Sequence, residues 1–169
     1  MLEKLLKERY SVRNYSSKPI EKEVLAKILE AGRVAPSARN SQPLKIYVLQ
    51  TEDALAKAKE TSPCTFNAPI ILMMCSDNNL GYQNPFTAER YNTMDITIAT
   101  TQMMLQATAL GVGSCWVCRF NPILAAEVFN LPDNIQPICL LTLGYPSEEA
   151  VPSDRHFSRK AMDEIVTYL

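Results

Sequence analysis

Histidine is nearly missing from this sequence, because His156 is the single imidazole in 169 residues. This scarcity excludes metal sites that are built from several histidines. A Ser-His-Asp or Cys-His catalytic apparatus would depend on this one side chain, which lies in a segment rich in proline, serine and arginine.

The chain also has almost no net charge and no long apolar run. The 17 basic and 18 acidic residues leave a formal net charge of -1, so no global field favours nucleic acid or an anionic membrane surface. The N-terminus is charged and lacks the apolar core of a signal peptide. The most apolar long segment, residues 94–112, contains Asp95, Gln102 and Gln106, which makes it too polar for a membrane span. We therefore expect a cytoplasmic protein that binds neither nucleic acid nor a membrane.

Cysteine pairs that could form a redox or zinc centre are few. The five cysteines are an odd number without a disulfide-scaffold pattern, so we expect reduced and mostly buried thiols. Cys115 and Cys118 form one Cys-x-x-Cys pair, but the second pair that zinc would need is not in the sequence. We expect no metal site, and we keep thiol-redox or metal chemistry at these two residues as the less favoured alternative.

Helix and strand patterns interleave along the chain. Apolar residues make up 47% and charged residues 21%, which is typical of one globular domain spanning residues 1–169. The patterns predict helices over 2–8, 21–33, 52–60, 91–110 and 121–130, and strands over 44–50, 69–76 and 135–146. This order indicates an α/β or α+β sandwich. The helix over 91–110 is apolar on more than one side, so we expect it to be buried nearly all round, partly by a second copy of the chain.

Basic side chains gather at two places in the sequence. Arg9, Ser11 and Arg13 would share one face of an extended segment, and two guanidiniums with a hydroxyl form a natural phosphate cradle. Spacing alone favours the simpler interpretation of solvated arginines after a helix end. The second cluster contains Arg155, His156, Arg159 and Lys160. It is either surface charge or a further set of phosphate contacts, if the fold returns this segment to the N-terminal arginines.

Two further segments suit a bound ligand. The segment APSARNSQP, residues 35–43, has a backbone stiffened by prolines and polar groups suited to a planar ring with polar edges, although a plain helix-to-strand connector fits it equally well. The segment GVGSCW, residues 111–116, has only the first two glycines of a dinucleotide fingerprint and follows a helix, so we reject the Rossmann interpretation. Its glycines either allow close approach to a ligand or end the helix.

Five motifs in a fixed order resemble the FMN-dependent nitroreductase family. They are RYSVRNY, APSARNSQP, MDITIATTQ, GVGSCWV, and LGYP followed by RKAMDEIV, and together they run from residue 9 to about residue 168. The resemblance implies a small single-domain member with an α+β fold. It also implies a three-layer α/β/α sandwich around a mostly antiparallel sheet, and an interlocked homodimer with two FMN sites at the subunit interface.

The resemblance also assigns FMN-contacting residues. The phosphate and ribityl chain would be held by Arg9, Ser11 and Arg13, with the backbone of Tyr10, where the family often has Arg or His. The flavin of the other subunit would be reached by Pro36, Ser37, Ala38, Asn40 and Gln42. The isoalloxazine ring would be lined by Gly113, Ser114 and Trp116, and the phosphate would be closed over by Arg159, Lys160 and Arg155.

The implied function is an FMN-dependent NAD(P)H oxidoreductase. NADH or NADPH would reduce the flavin at N5 in a ping-pong cycle that ends on a nitroaromatic, a quinone or a related small-molecule acceptor. No essential side chain is assigned, because the chemistry belongs to the cofactor. Leu44 and Cys118 depart from the family's usual Trp and Gly, and Tyr82, Phe86 and Tyr91 are expected to wall the pocket. The alternative of the same fold is a flavin-binding protein for storage, delivery or cleavage.

Overall fold

Helices and strands alternate along the part of the chain that the computed structural model describes, residues 2–169. The helices are α1 (Leu2–Glu8), α2 (Lys22–Arg33), α3 (Glu52–Thr61), α4 (Asn92–Ala109) and α5 (Pro122–Val128). The strands are β1 (Leu44–Leu49), β2 (Ile70–Asp77), β3 (Gly113–Val117) and β4 (Ile135–Gly144). Short 3-10 turns lie at Ala38–Asn40, Asp154–His156 and Met162–Glu164. Over residues 2–169, no helix has both the length and the apolar character that crossing a bilayer requires.

The four strands form one antiparallel sheet in the order β1-β2-β4-β3. Most residues of the two central strands are buried, and β2 is buried along all but its last residue. A continuous apolar run of this kind is expected where helices cover both faces of a strand. The register places Gly113 opposite Gly144 and Val117 opposite Leu140, so β3 closes one edge of the sheet.

Two hydrophobic cores lie on opposite faces of the sheet. One core joins α2 and α4 to the sheet through Ile28, Leu72 and Met103. The other joins α3 and α5 through Ala58, Met73 and Ala125. Leu72 and Met73 enter different cores because successive strand residues point to opposite faces. The predicted three-layer α/β/α sandwich is therefore confirmed.

Local signals in the sequence explain where two of the helices begin. The hydroxyl of Thr51 accepts a hydrogen bond from the backbone N–H of Ala54 at 3.2 Å, which caps α3. The side chain of Asn121 accepts two backbone hydrogen bonds in the first turn of α5, and Pro122 occupies the first helical position. Both arrangements satisfy N–H groups that a helix start leaves without partners.

The sequence patterns and the structure differ at one edge of the sheet. The patterns predict no strand over residues 113–117, but these residues form β3, because pairing with β4 supplies hydrogen bonds that so short a segment does not signal. In one chain, helix α4 leaves Met94 and Ile98 57% and 39% exposed, so the expected burial by a second copy stays a prediction. The C-terminal residues 157–169 are exposed and contain only the turn Met162–Glu164.

Candidate functional site

The segment after α1 is anchored to the edge of the sheet. Ser11 forms a parallel bridge with Ser114, and the N–H of Val12 donates to the Ser114 carbonyl at 2.9 Å. The Tyr15 hydroxyl lies 2.8 Å from the Val12 carbonyl and 2.7 Å from the Thr142 hydroxyl. Burial raises the pKa of Tyr15 well above its usual value of 10, so this hydroxyl stays neutral and keeps its hydrogen bonds.

Gly113 allows the anchored segment to approach β3 closely. A Cβ atom at this position would lie 2.7 Å from Cγ2 of Val12, which is inside van der Waals contact. Val12 itself is buried, so it has little room to move away. The glycine is therefore required by packing between two backbones, and this packing determines where the neighbouring Ser11 and Arg13 lie.

Four arginines line one cavity beside the anchored segment. The cavity has a volume of about 160 Å³, is here called the cationic cavity, and is lined by Arg9, Tyr10, Ser11, Arg13, Ser153, Arg155, His156 and Arg159. No acidic residue lines it, and within residues 2–169 none of these arginines forms an ion pair. Uncompensated guanidiniums beside hydroxyls suit a phosphate group.

The fold brings Arg155, His156 and Arg159 of the C-terminal basic cluster into the same cavity as the N-terminal arginines. The Tyr10 hydroxyl donates to the carbonyl of Ala150 at 3.2 Å. The rings of Tyr10 and His156 meet edge to face, with centroids 6.3 Å apart. These contacts place the two basic segments in one cavity although about 145 residues separate them. Lys160 is exposed and does not line this cavity.

Residues 35–43, the polar loop, have an unusual backbone. Arg39, Asn40 and Gln42 have φ values of 53°, 54° and 49°, the left-handed region that favours glycine. The Ser37 hydroxyl accepts from the N–H of Gln42 at 3.0 Å. The N–H of Ala38 donates to Oδ1 of Asp95 on α4 at 2.9 Å. The loop therefore has a defined shape that its own hydrogen bonds and one helix residue maintain.

The polar loop borders a second cavity of about 330 Å³, here called the loop cavity. Pro36, Ser37 and Gln42 line it together with Asp95. Its remaining walls come from α2, β1 and α4 and are mainly apolar, including Leu29, Leu44, Ile46 and Ala99. Ala38 and Asn40 belong to the loop but are not among the lining residues. A mostly apolar cavity with a few polar and charged groups, which include Arg33 and Lys45, suits a flat aromatic ligand.

The predicted ring-lining residues of β3 differ in their surroundings. Gly113 and Ser114 are buried, and the Ser114 hydroxyl has no hydrogen-bond partner within residues 2–169. Trp116 is half-buried and packs against the core between the sheet and α2 and α4. Their contact with a ring stays a prediction.

The single chain divides the predicted site residues into two groups. The cationic cavity and the loop cavity share no lining residue. Sequence reasoning missed Asp95 and Ser153 as members of these cavities. The available signal for Asp95 was a lone carboxylate within an apolar helix pattern, where Ile96, Ala99 and Met103 are all buried.

The cysteines do not form a paired centre in this structure. All five are free, Cys115 is buried, and Cys118 is exposed. The expectation of mostly buried thiols therefore does not hold for Cys118, which lies beyond the last residue of β3. Burial raises the pKa of the Cys115 thiol, which disfavours the reactive thiolate. Across the described part of the chain, no group of three His, Cys, Asp or Glu residues could hold a metal ion.

Residues 82–91 form a hairpin next to the polar loop, joined by an antiparallel bridge between Gln83 and Arg90, and it carries three aromatic side chains. The rings of Tyr82 and Tyr91 meet edge to face at 5.9 Å, and Phe86 is 95% exposed. The guanidinium of Arg39 lies 6.0 Å from the centre of the Tyr82 ring, which joins this hairpin to the polar loop. The expectation that these aromatic residues wall a substrate pocket stays a prediction.

Comparisons with known proteins give one consistent result. The model of the nitroreductase family matches residues 6–62 and 56–145. A nitroreductase family protein of Clostridium difficile 630 superposes with a TM-score of 0.92 at 40% identity, over 98% of this chain and 96% of that chain. An FMN-dependent nitroreductase of Clostridium difficile R20291 superposes with a TM-score of 0.80 at 26% identity, over 99% and 98% of the two chains. An FMN reductase [NAD(P)H] of Bacillus subtilis is 27% identical over 184 aligned positions, which cover 98% of this chain and 74% of the relative.

Proposed function

Because the chain belongs to the nitroreductase family, we propose that it is an FMN-dependent NAD(P)H oxidoreductase. The observation that carries the proposal is the cationic cavity, where four arginines without acidic partners surround Ser11 beside β3. The names of the relatives, which include FMN reductase and FMN-dependent nitroreductase, support the same cofactor. In this proposal residues 1–169 act as one FMN-binding domain.

The residues present fit FMN at both of its ends. Arg9, Ser11, Arg13 and Arg159 would hold the phosphate, since guanidiniums bind phosphate through paired, charge-assisted hydrogen bonds. Tyr10 and Arg155 line the same cavity, while Lys160 would approach from its exposed position. When bound, FMN supplies two-electron chemistry by accepting hydride at N5 from NADH or NADPH and reducing an acceptor in a ping-pong cycle.

The polar loop and β3 would hold the ring. Pro36, Ser37 and Gln42 line the loop cavity, and the loop also carries Ala38 and Asn40. Gly113, Ser114 and Trp116 lie on the strand that anchors Ser11. A nitroaromatic, a quinone or a related flat acceptor matches the apolar walls of the loop cavity and the aromatic hairpin beside it.

A second copy of the chain is part of this proposal. The two cavities share no lining residue, and in this proposal one FMN would use the cationic cavity of one chain and the loop cavity of its partner. Apolar surface for such an interface is present on α4, at Met94 and Ile98, and in the C-terminal segment, where Tyr168 is 93% exposed. Exposed apolar surface of this kind marks interaction sites in soluble proteins. We therefore propose a homodimer that shares its two flavin sites.

The visible absorption spectrum of the freshly purified protein tests the cofactor. We expect the two bands of oxidised flavin, one flavin per chain, and bleaching when NADH or NADPH is added without oxygen. A flavin that stays oxidised with both nucleotides would instead leave a role in flavin storage, delivery or cleavage. Colourless protein that does not bind added FMN would contradict the whole proposal. Sedimentation equilibrium of the same sample measures whether the chain is dimeric.

The thiol alternative is tested by replacing Cys115 and Cys118 with serine. The proposal predicts that this double variant still binds flavin and still bleaches with the nucleotide. A variant that binds flavin but loses all reduction of acceptors would favour thiol chemistry.

A further inference from the structure

Asp95 connects the polar loop to the first turn of α4. Its Oδ1 accepts the N–H of Ala38 at 2.9 Å, across 57 positions of sequence. The other hydrogen bonds within residues 37–42 are internal to the loop, such as Asn40 N–H to the Ser37 carbonyl at 2.9 Å and Gln42 N–H to the Ser37 hydroxyl at 3.0 Å. The Asp95 contact is therefore the one that ties the middle of this segment to the helical scaffold within residues 2–169.

The loop requires such a tie because its backbone is strained. Arg39, Asn40 and Gln42 all have φ near +50°, where a side chain collides with its own backbone. Conformations of this kind persist only where the surrounding structure imposes them. Without the bond at Ala38, the chain between Ser37 and Gln42 gains access to extended conformations that its residues prefer. The shape in which Pro36, Ser37 and Gln42 line the loop cavity then becomes one of several.

The carboxylate of Asp95 is poorly accommodated by the fold itself. Its side chain is 4% exposed, and Oδ2 is buried without a hydrogen-bond partner in the described chain. A buried carboxylate oxygen without a donor is destabilising, because the donors it had in water are not replaced. The favourable field at the start of a helix offsets part of this cost. Stability of α4 alone does not account for an acid here, whereas the Ala38 contact does.

We propose that Asp95 is a positioning residue of the flavin site, which holds the polar loop in its ligand-ready shape through the backbone N–H of Ala38. Its contribution to flavin binding rests on the proposed function, but its contribution to loop order does not. An oxygen acceptor at position 95 is required, and a negative charge is not. An asparagine keeps an oxygen at the same distance, while an alanine or a leucine has none.

Asn92 provides a matched control in the same turn of α4. It is 5% exposed, its Oδ1 is also buried without a partner, and its Nδ2 donates to the Ser76 hydroxyl at 2.8 Å. Asn92 therefore resembles Asp95 in burial and in its unpartnered oxygen, but it contacts the end of β2 rather than the polar loop. Damage to α4 in general would appear in variants of both residues.

The experiment measures two quantities on the full chain, with variants D95A, D95L, D95N and N92A. The first is hydrogen exchange at the Ala38 amide in flavin-free protein, and the second is the FMN dissociation constant from fluorescence titration. We expect D95A and D95L to exchange Ala38 at least about 10-fold faster and to bind FMN at least about 10-fold more weakly than the unmodified chain. We expect D95N and N92A to stay within about 3-fold on both measures. Thermal midpoints of D95A and D95L should be no lower than that of N92A.

Three results would overturn the proposal: an Ala38 amide as protected in D95A and D95L as in the unmodified chain, a D95N no better than D95A, or an N92A that weakens FMN binding as much as D95A. D95L keeps the branch at Cγ but has no oxygen, so it tests whether Asp95 orders the loop if D95A does not fold. If the unmodified chain binds no FMN, the proposed function fails, while the exchange at Ala38 still determines whether Asp95 positions the loop.

Discussion

Replacing Arg13 with alanine removes one of the four guanidiniums that line the cationic cavity. The side chain is exposed, its Nη1 lies 3.4 Å from the Ser11 carbonyl, and its Cζ lies 5.9 Å from the centre of the Phe66 ring. None of these contacts is a buried ion pair, so the side chain is free to turn toward a bound phosphate. The proposed function therefore predicts that Arg13 contributes more to binding than to stability.

The magnitude follows from the two kinds of contact that are lost. A hydrogen bond to a charged group contributes about 1.5–3 kcal/mol, which corresponds to a loss of about 10- to 150-fold in FMN affinity. An exposed cation–π contact such as the one with Phe66 contributes about 0.5–1 kcal/mol, so the free energy of unfolding should fall by about 1 kcal/mol or less. Added salt should weaken FMN binding in the unmodified chain, because an open cavity is screened by ions.

The assay compares FMN with riboflavin, which has the same ring but no phosphate. R13A should lose affinity for FMN and keep its affinity for riboflavin. R119A is the matched control, since Arg119 is exposed and does not line the cationic cavity. Both variants carry the same net charge, which removes any effect of overall charge. Equal losses for FMN and riboflavin in R13A, or equal losses of FMN affinity in R13A and R119A, would refute the assigned role.

Three other changes have defined outcomes. G113A should lower the free energy of unfolding by about 1–3 kcal/mol in urea titration, because its Cβ would lie 2.7 Å from Val12, and FMN affinity should fall with it. Burial raises the pKa values of Cys75 and Cys139 from 9.0 to about 12. The native chain therefore keeps protons that the unfolded chain releases, and stability measured by urea titration should be constant below about pH 8 and fall as the pH rises from 9 toward 12. T51A should lower stability by about 1 kcal/mol through the lost helix cap and leave the FMN dissociation constant unchanged.

Each of these outcomes has a control. Adding V12A to G113A should recover part of the lost stability, and purely additive effects would contradict the contact. The variant C139A should have a smaller stability loss per pH unit above pH 9, and an unchanged slope would show that this thiol does not titrate on unfolding. T51S keeps a capping hydroxyl and should remain as stable as the unmodified chain. A T51S as unstable as T51A would rule out the cap.

The positions of Arg9, Ser11 and Arg13 show what a local sequence pattern predicts and what it does not. Alternation in an extended segment predicted that they share one face, and all three line the cationic cavity. Their meeting with Arg155 and Arg159 depends on the return of the C-terminal connector, which only the folded chain decides. The strand over 113–117 was missed because its hydrogen-bonded partners are β4 and Val12, both distant in sequence.

The amino-acid sequence by itself determined the helices, three of the four strands, the layer architecture and the family resemblance, because these depend on periodicity and on motifs a few residues long. Only the tertiary structure decided that Asp95 holds the N–H of Ala38, that Gly113 packs against Val12, and that the site residues lie in two separate cavities. The physical reason is that a hydrogen bond or a packing contact joins atoms in space. Such contacts form wherever the backbone brings two segments together, whatever their separation along the chain.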